Sequence, residues 1–235
     1  MKKKLVVIIA LLISTHLESR SYYGSSLCIY KQYDCLKISQ GDTWKTLFPD
    51  PNERDIVQRL NRSYNSLSPG KEIAVPVNLA HLDIFDISPF PLNIDTKGEK
   101  QVIVDQEKLA WAAYDSQGYL IKWGPISSGR DKCNDSSDSC RTLTGRFRIF
   151  SKEGKECHSN TYDNAQMPYC MYFHKGFALH GSNDIPGFRA SHGCVRMFVK
   201  DAKWMNQKFI ELSHENNNFH GTIVIVKPLL DEIYH

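Results

Sequence analysis

The chain has 235 residues, and its 29 Lys and Arg against 26 Asp and Glu give a formal net charge of +3. This length allows one sizeable core plus a small module. Residues 1–20 hold four of the basic residues and one of the acidic residues, so the chain without them has a net charge of zero. A neutral chain lacks the basic footprint that nucleic acids attract, and we expect no nucleic-acid partner.

The first residues predict a secretory signal peptide. Lys2, Lys3 and Lys4 precede an apolar run, Leu5–Ile13, and polar residues follow it. The run is about half the roughly 20 residues that a membrane span needs. We expect residues 1–20 to be removed on export across the inner membrane, with the cut near residues 16–21, and the rest to be soluble. A retained anchor is the alternative.

The next region mixes helical spacing with turns. Residues 34–79 contain a predicted short helix around Asp55–Leu60, a turn at Ser68–Lys71 and a strand at Glu72–Pro76. Residues 80–100 have prolines and no clear periodicity, which predicts a linker or an extended lead-in.

From residue 101 to residue 228 the pattern predicts a mainly β domain. Closely spaced, turn-punctuated strands are typical of a hairpin meander in a sandwich or barrel. One short helix is predicted at Asp201–Leu212. The predicted strands are Gln101–Asp105, Lys108–Tyr114, Tyr119–Trp123, Gly145–Phe150 and Thr222–Val226.

Cysteine spacing divides the seven cysteines into three local couples and one remainder, Cys194. In an oxidising compartment paired cysteines indicate disulfides, and an odd one indicates a reactive thiol or an inert buried one. Other pairings of the six stay open. The local couples are Cys28 with Cys35, Cys133 with Cys140, and Cys157 with Cys170.

The context of Cys194 favours a nucleophile. His180 ends an apolar, strand-like run and is a candidate base that takes the thiol proton and forms an ion pair with the thiolate. The preceding Gly193 permits a tight turn whose backbone N–H groups would stabilise an oxyanion. Arg196 is suited to a two-pronged contact with a carboxylate. A zinc site formed by His174, His180, His192 and Cys194, or a papain-like protease, are the alternatives.

Two motifs carry a resemblance to a known family. His180-Gly181-Ser182, followed by Ser191-His192-Gly193-Cys194-Val195-Arg196, resembles the active-site signature of the L,D-transpeptidases. Ile126–Gly129 and Thr142–Phe147 are similar to the paired turns of that family, as Met167–Phe173 is to the segment before its histidine. The resemblance covers about residues 101–228 and implies a β-sandwich or barrel with a short helix.

The resemblance also implies roles by position. Cys194 would be the nucleophile and His180 the proton acceptor and donor, oriented through a backbone carbonyl. The backbone of His192, Gly193 and Cys194 would form the oxyanion hole. Arg196 and Gly181 would bind substrate, whereas Ser182 and Ser191 would support the site. No metal and no cofactor is implied.

The first region resembles a second family. Leu36–Trp44, Asn61 and Leu67–Pro76 are similar to the LysM pattern, which implies a small βααβ module at residues 34–79 that binds wall glycans. Pro49 and Pro51 depart from the pattern, so a spacer without a ligand is the alternative.

Together these resemblances imply a monomeric acyltransferase of the periplasm or cell wall. It would act on peptidoglycan stem tetrapeptides, release D-Ala through a Cys194 thioester, and form 3-3 cross-links or attach a wall-anchored protein. The alternatives are an L,D-carboxypeptidase, a non-catalytic scaffold that binds wall glycan strands, and a thiol-redox protein.

Overall fold

A computed structural model describes residues 22–133, 139–160 and 164–233. The predicted signal peptide lies outside these residues. Within the described part of the chain, no helix is long and apolar enough to cross a bilayer.

The N-terminal module, residues 22–81, contains an antiparallel pair of strands with two helices between them. Register pairs Cys35 with Ala74 at the centre of the strands. The βααβ order agrees with the sequence prediction. The elements are α1 (Tyr23–Ser26), a 3-10 turn (Leu27–Ile29), β1 (Tyr33–Lys37), α2 (Trp44–Leu47), α3 (Pro51–Leu60), β2 (Glu72–Pro76) and a 3-10 turn (Leu79–His81).

Local capping explains how the two helices follow each other despite the prolines. Thr43 and Thr46 form a capping box at the start of α2. The Asp50 side chain accepts hydrogen bonds from two amides of α3, and Pro51 occupies its first turn. Proline is favoured there because its missing N–H would have no helical partner. The helix predicted from Asp55 therefore begins four residues earlier.

The remaining strands form one nine-stranded sheet with the order β6-β11-β3-β4-β5-β10-β9-β8-β7. The pairs β9–β10 and β3–β11 are parallel, and the others are antiparallel. The strands are β3 (Gln101–Asp105), β4 (Ala110–Tyr114), β5 (Leu120–Ser127), β6 (Gly145–Arg148), β7 (Ser151–Lys152), β8 (Met171–His174), β9 (Phe177–Ser182), β10 (Val195–Phe198) and β11 (Ile223–Val226).

The sheet is curled around its core. Phe147 on β6 lies 5.3 Å, between ring centroids, from Phe173 on β8, although these strands are near opposite ends of the strand order. Trp111, Leu179 and Val224 from the middle and both sides are fully buried in the same cluster. The predicted mainly β class is confirmed, as a curled half-barrel.

The late helix begins two residues before its predicted start and also ends before its predicted end. It runs as α4 (Val199–Trp204), continues as a π-helical turn (Met205–Phe209), and ends at Ile210 in extended backbone. A 3-10 turn (Glu215–Asn217) and α5 (Leu230–Ile233) complete the chain's helices within the described residues.

Residues 80–100 pack on the sheet rather than bridging open space. Phe90 is buried in a cluster with Tyr114 and Trp123. The Tyr114 hydroxyl donates to the Pro91 carbonyl at 2.8 Å. The predicted linker therefore covers the outer face of β4 and β5.

A buried ion pair joins the N-terminal module to the sheet. Arg59 on α3 donates two hydrogen bonds, both 2.9 Å, to the Asp201 carboxylate on α4. Lys122 lies 3.0 Å from the same carboxylate. Burial raises the pKa of Asp201, but Arg59 and Lys122 outweigh it and hold that pKa below its ordinary value. This ion pair fixes the position of α3 against α4.

All three predicted disulfides are present, and the seventh cysteine, Cys194, is free. A disulfide involving Cys194, which the thiol-redox alternative requires, is not formed.

Candidate active site

Neighbouring parallel strands bring the predicted nucleophile and base together. His180 lies on β9, directly opposite Arg196 on β10, and Cys194 immediately precedes β10. The three side chains line one cleft together with Ser182, Ser191 and His192. The fold therefore gathers two sequence motifs that are separated by a loop.

A backbone carbonyl orients the His180 ring. Nδ1 lies 2.9 Å from the carbonyl oxygen of Gly181. Because a carbonyl only accepts, this contact places the ring proton on Nδ1 and leaves Nε2 to take a proton. A residue larger than glycine would fit poorly at position 181, since an added Cβ would lie 3.0 Å from the Pro168 carbonyl oxygen.

The electrostatics favour a neutral pair at rest. Burial lowers the pKa of His180 to about 4, the bond to Gly181 opposes this shift, and the Arg196 charge adds to it. Burial raises the pKa of the Cys194 thiol, against the Ala178 amide and Arg196, which lower it. These shifts do not favour the resting ion pair predicted from sequence, so proton transfer would accompany attack.

The low pKa of His180 predicts how activity depends on pH. His180 must be neutral to accept the thiol proton, so activity should fall only as pH drops toward about 4, well below the ordinary histidine value of roughly 6.5. Folding stability should also decrease as pH falls from about 6.5 toward 4, because over that range the His180 side chain binds a proton in the unfolded chain but not in the folded one. An NMR titration of the His180 ring nitrogens measures the midpoint directly, and a midpoint near 6.5 would contradict the neutral resting pair.

Ser191 braces the turn before the nucleophile. Its hydroxyl accepts from the Gly193 amide at 3.1 Å and donates to the Cys194 carbonyl at 2.5 Å. Gly193 has φ +120°, a conformation that L side chains rarely adopt, and an added Cβ would lie 3.0 Å from the Phe177 ring. The Gly193 amide is hydrogen-bonded to the Ser191 hydroxyl, so in this conformation it stabilises the turn. The predicted oxyanion donation from its N–H is not available here.

The two turns noted in the sequence hold the active-site loop in place. The Ser128 carbonyl accepts from the amides of Ala190 and Ser191, both at 3.0 Å. The Thr142 hydroxyl accepts from the Gly129 amide at 2.9 Å. An added Cβ on Gly129 would lie 1.9 Å from the Cys140 carbonyl oxygen, so no side chain fits there. The family-like turns are therefore a scaffold for the catalytic loop.

Arg196 reaches the cleft but already has a partner. Its guanidinium forms an ion pair with Asp184, an acidic residue that sequence reasoning missed. The Asp184 amide donates to the Ser182 hydroxyl at 3.0 Å, and Asn65 of the N-terminal module donates to the Asp184 carboxylate at 2.8 Å. A substrate carboxylate would join or displace this pair.

Cys194 lies at the boundary of two clefts. The second cleft is lined by Glu153, Tyr172, Lys175 and Gly176, and the Cys194 thiol lies 3.5 Å from the Gly176 carbonyl oxygen. Burial raises the pKa of Tyr172, and the charge of Glu153, together with that of Cys194 once its thiol is ionised, raises it further. Tyr172 lies in the family-like segment Met167–Phe173, but no motif marked Glu153, Lys175 or Gly176, because only the pairing of β7, β8 and β9 places them beside the thiol.

The structure does not support the zinc alternative. Among the described residues, the only His, Cys, Asp or Glu groups with metal-like spacing are Glu153, Cys157 and Cys170. The last two are joined in a disulfide and cannot act as thiolate ligands.

The fold and site define a class of mainly β protein with a free thiol and a buried imidazole on adjacent strands. The model of the YkuD family, the L,D-transpeptidase catalytic domain, matches residues 99–226, and this chain belongs to that family. No curated protein matches the chain.

The chain is similar to several solved structures, and the first of these agrees at the level of the fold. The L,D-transpeptidase from Xylanimonas cellulosilytica superposes with a TM-score of 0.52 at 22% identity, over 74% of this chain and 78% of that one. An L,D-transpeptidase from Stackebrandtia nassauensis gives 0.46 at 24% identity, over 60% and 61%. The Enterococcus faecium L,D-transpeptidase C442S mutant gives 0.43 at 20% identity, over 55% and 50%.

Proposed function

We propose that the protein is a cysteine-dependent L,D-transpeptidase that acts on peptidoglycan stem tetrapeptides. The observation that carries the proposal is that Cys194, immediately before β10, lines one cleft with His180 on the paired strand β9, with the imidazole fixed by the Gly181 carbonyl. An unpaired cysteine in a chain with three disulfides is the group that a thioester mechanism needs.

In the first half of the reaction the Cys194 thiol loses its proton to Nε2 of His180 as its sulfur attacks a carbonyl. The carbonyl is the one between the third stem residue, a diamino acid, and D-Ala. The tetrahedral intermediate collapses, the C–N bond breaks, and the proton on His180 passes to the amine of the departing D-Ala. The product is a thioester on Cys194.

In the second half an amine attacks the thioester, His180 accepts its proton, and that proton passes to the departing Cys194 sulfur, which restores the neutral pair. Transfer to the diamino acid of another stem forms a 3-3 cross-link, and transfer to a lysine attaches a wall protein. The two clefts that meet at Cys194 favour transfer over hydrolysis, because donor and acceptor can approach the thioester from different sides. Hydrolysis to a trimmed tripeptide is the second candidate.

The N-terminal module extends the proposal to wall binding. Its βααβ order and its resemblance to the LysM pattern support a role in holding glycan strands near the active site. Residues 1–20 then serve as an export signal, and the protein works as a monomer in the periplasm or cell wall.

Product masses test the proposed reaction. Incubation of the mature protein with purified disaccharide-tetrapeptides should release D-Ala and yield a cross-linked dimer. Loss of D-Ala with tripeptide as the only other product would instead identify a carboxypeptidase. Unchanged tetrapeptide, with a folded protein, would contradict both.

A further inference from the structure

A groove runs between the N-terminal module and the sheet domain. We call it the inter-module groove; its walls include Tyr22, Asn65, Ser68 and Lys71 on one side and Arg130 and Asp184 on the other. Its volume of about 390 Å³ falls within the range of small-molecule sites. Its side chains include hydroxyl, amide and cationic groups, the Asp184 carboxylate, and aromatic and apolar groups.

Hydrogen bonds across the groove fix its walls. The Tyr64 amide donates to the Ile185 carbonyl at 2.8 Å, and the Ile185 amide donates to the Asn65 side chain at 2.6 Å. Asn65 in turn donates to Asp184 at 2.8 Å. The groove is therefore formed before any ligand arrives, which reduces the cost of ordering it.

The groove is continuous with the catalytic cleft. Asp184 lines both, with one carboxylate oxygen bonded to Asn65 and the other paired with Arg196. A ligand that lies in the groove can therefore extend past Asp184 toward Cys194.

The groove contains a cation without an acidic partner among the described residues. Lys71 is half-buried, its Nζ lies 3.5 Å from the Ser63 hydroxyl oxygen and 4.1 Å from the centre of the Tyr22 ring. Burial alone lowers the pKa of Lys71 to about 8, since the ammonium loses solvent without gaining a carboxylate. Arg130 adds a second positive group, held against the Ala190 carbonyl at 3.1 Å.

We propose that the inter-module groove is a second substrate subsite, in which Lys71 binds a stem-peptide carboxylate on the donor side of the scissile bond, that of the second stem residue. This inference rests on the proposed function for the identity of the ligand. An anion in the groove compensates the desolvated ammonium, and the hydroxyl and amide walls suit the polar peptide and sugar around it. The N-terminal module would then help to select the substrate as well as to hold the wall.

Binding to a protein that cannot turn over separates the two proposals. The Cys194→Ala protein would be titrated by calorimetry with two disaccharide-tetrapeptides. In one, the α-carboxylate of the second stem residue is free; in the other, that carboxylate is amidated. We expect Lys71→Gln to weaken binding of the free form about tenfold and to leave the amidated form unchanged. Lys71→Arg should keep most of the affinity, and Lys45→Gln, an exposed change on the same module, should have no effect.

The outcomes are distinct. Equal weakening of both fragments by Lys71→Gln, or no weakening of either, would overturn the carboxylate subsite. Unchanged melting curves for the variants establish that the fold is retained. A third outcome separates the two proposals. If the wild-type protein forms no thioester but Lys71 still favours the free over the amidated fragment, the proposed reaction is overturned and the subsite is retained.

Discussion

Replacement of Cys194 by alanine should reduce turnover of tetrapeptides by about 10⁴-fold or more, to the background rate, because no other group near His180 can form the thioester. The fold should be retained, since Cys194 is only partly buried and alanine keeps its Cβ, losing the thiol's contacts with the Gly176 carbonyl and the Ala178 amide. Circular dichroism and the thermal midpoint check the fold.

Covalent labelling is a second test of the Cys194→Ala substitution. A carbapenem, whose strained β-lactam carbonyl is open to attack by a thiol, should add its mass to the wild-type protein and not to Cys194→Ala. A label that persists in the variant, or an unlabelled wild type, would show that another group reacts. Pull-down with purified sacculi should be unaffected by the substitution, because the proposed glycan contacts lie in the N-terminal module.

Asp201→Asn should cause the largest loss of stability, about 3 kcal/mol, because it leaves the buried Arg59 guanidinium without its principal counter-charge. Asp55 and the Trp123 carbonyl still contact Arg59, at 3.1 and 2.6 Å, so the loss is at the lower end for a broken buried pair. For a chain of this size the thermal midpoint should fall by roughly 6–12 °C.

Matched variants identify the cause of that loss. Asp34→Asn makes the same chemical change on an exposed part of β1 and should leave the midpoint nearly unchanged. Replacement of Arg59 and Asp201 together by methionine should recover most of the stability, because no buried charge of the pair remains. If Asp201→Asn melts like Asp34→Asn, the ion pair does not hold the two parts together.

The local features of this chain could be predicted because they depend on neighbours in sequence. Strand β3 matches its prediction at both ends, since a run of three β-branched residues between two polar residues defines it. The three disulfides close short loops, which favours pairing with the nearest cysteine. The start of α3 was missed because its caps depend on the geometry of Asp50 and Pro51 rather than on apolar spacing.

Long-range contacts could not be predicted in the same way. Arg59 and Asp201 are far apart in sequence, and each alone has the features of an ordinary surface residue. Lys71 lies in a predicted turn, and only its position in the groove beside the sheet domain makes it partly buried. Their burial is decided by how the two parts pack, and that packing leaves no periodic signal in either segment.

The sequence by itself predicted the candidate pair, Cys194 and His180, because the His-Gly-Ser and Ser-His-Gly-Cys motifs resemble the active-site signature of the L,D-transpeptidases. Only the tertiary structure decided the state of that pair. Strand pairing buries His180 and Cys194 together and so favours their neutral forms, and the loop contacts direct the Gly193 amide to Ser191. Burial and hydrogen-bond direction set these properties, and both arise only when distant segments meet.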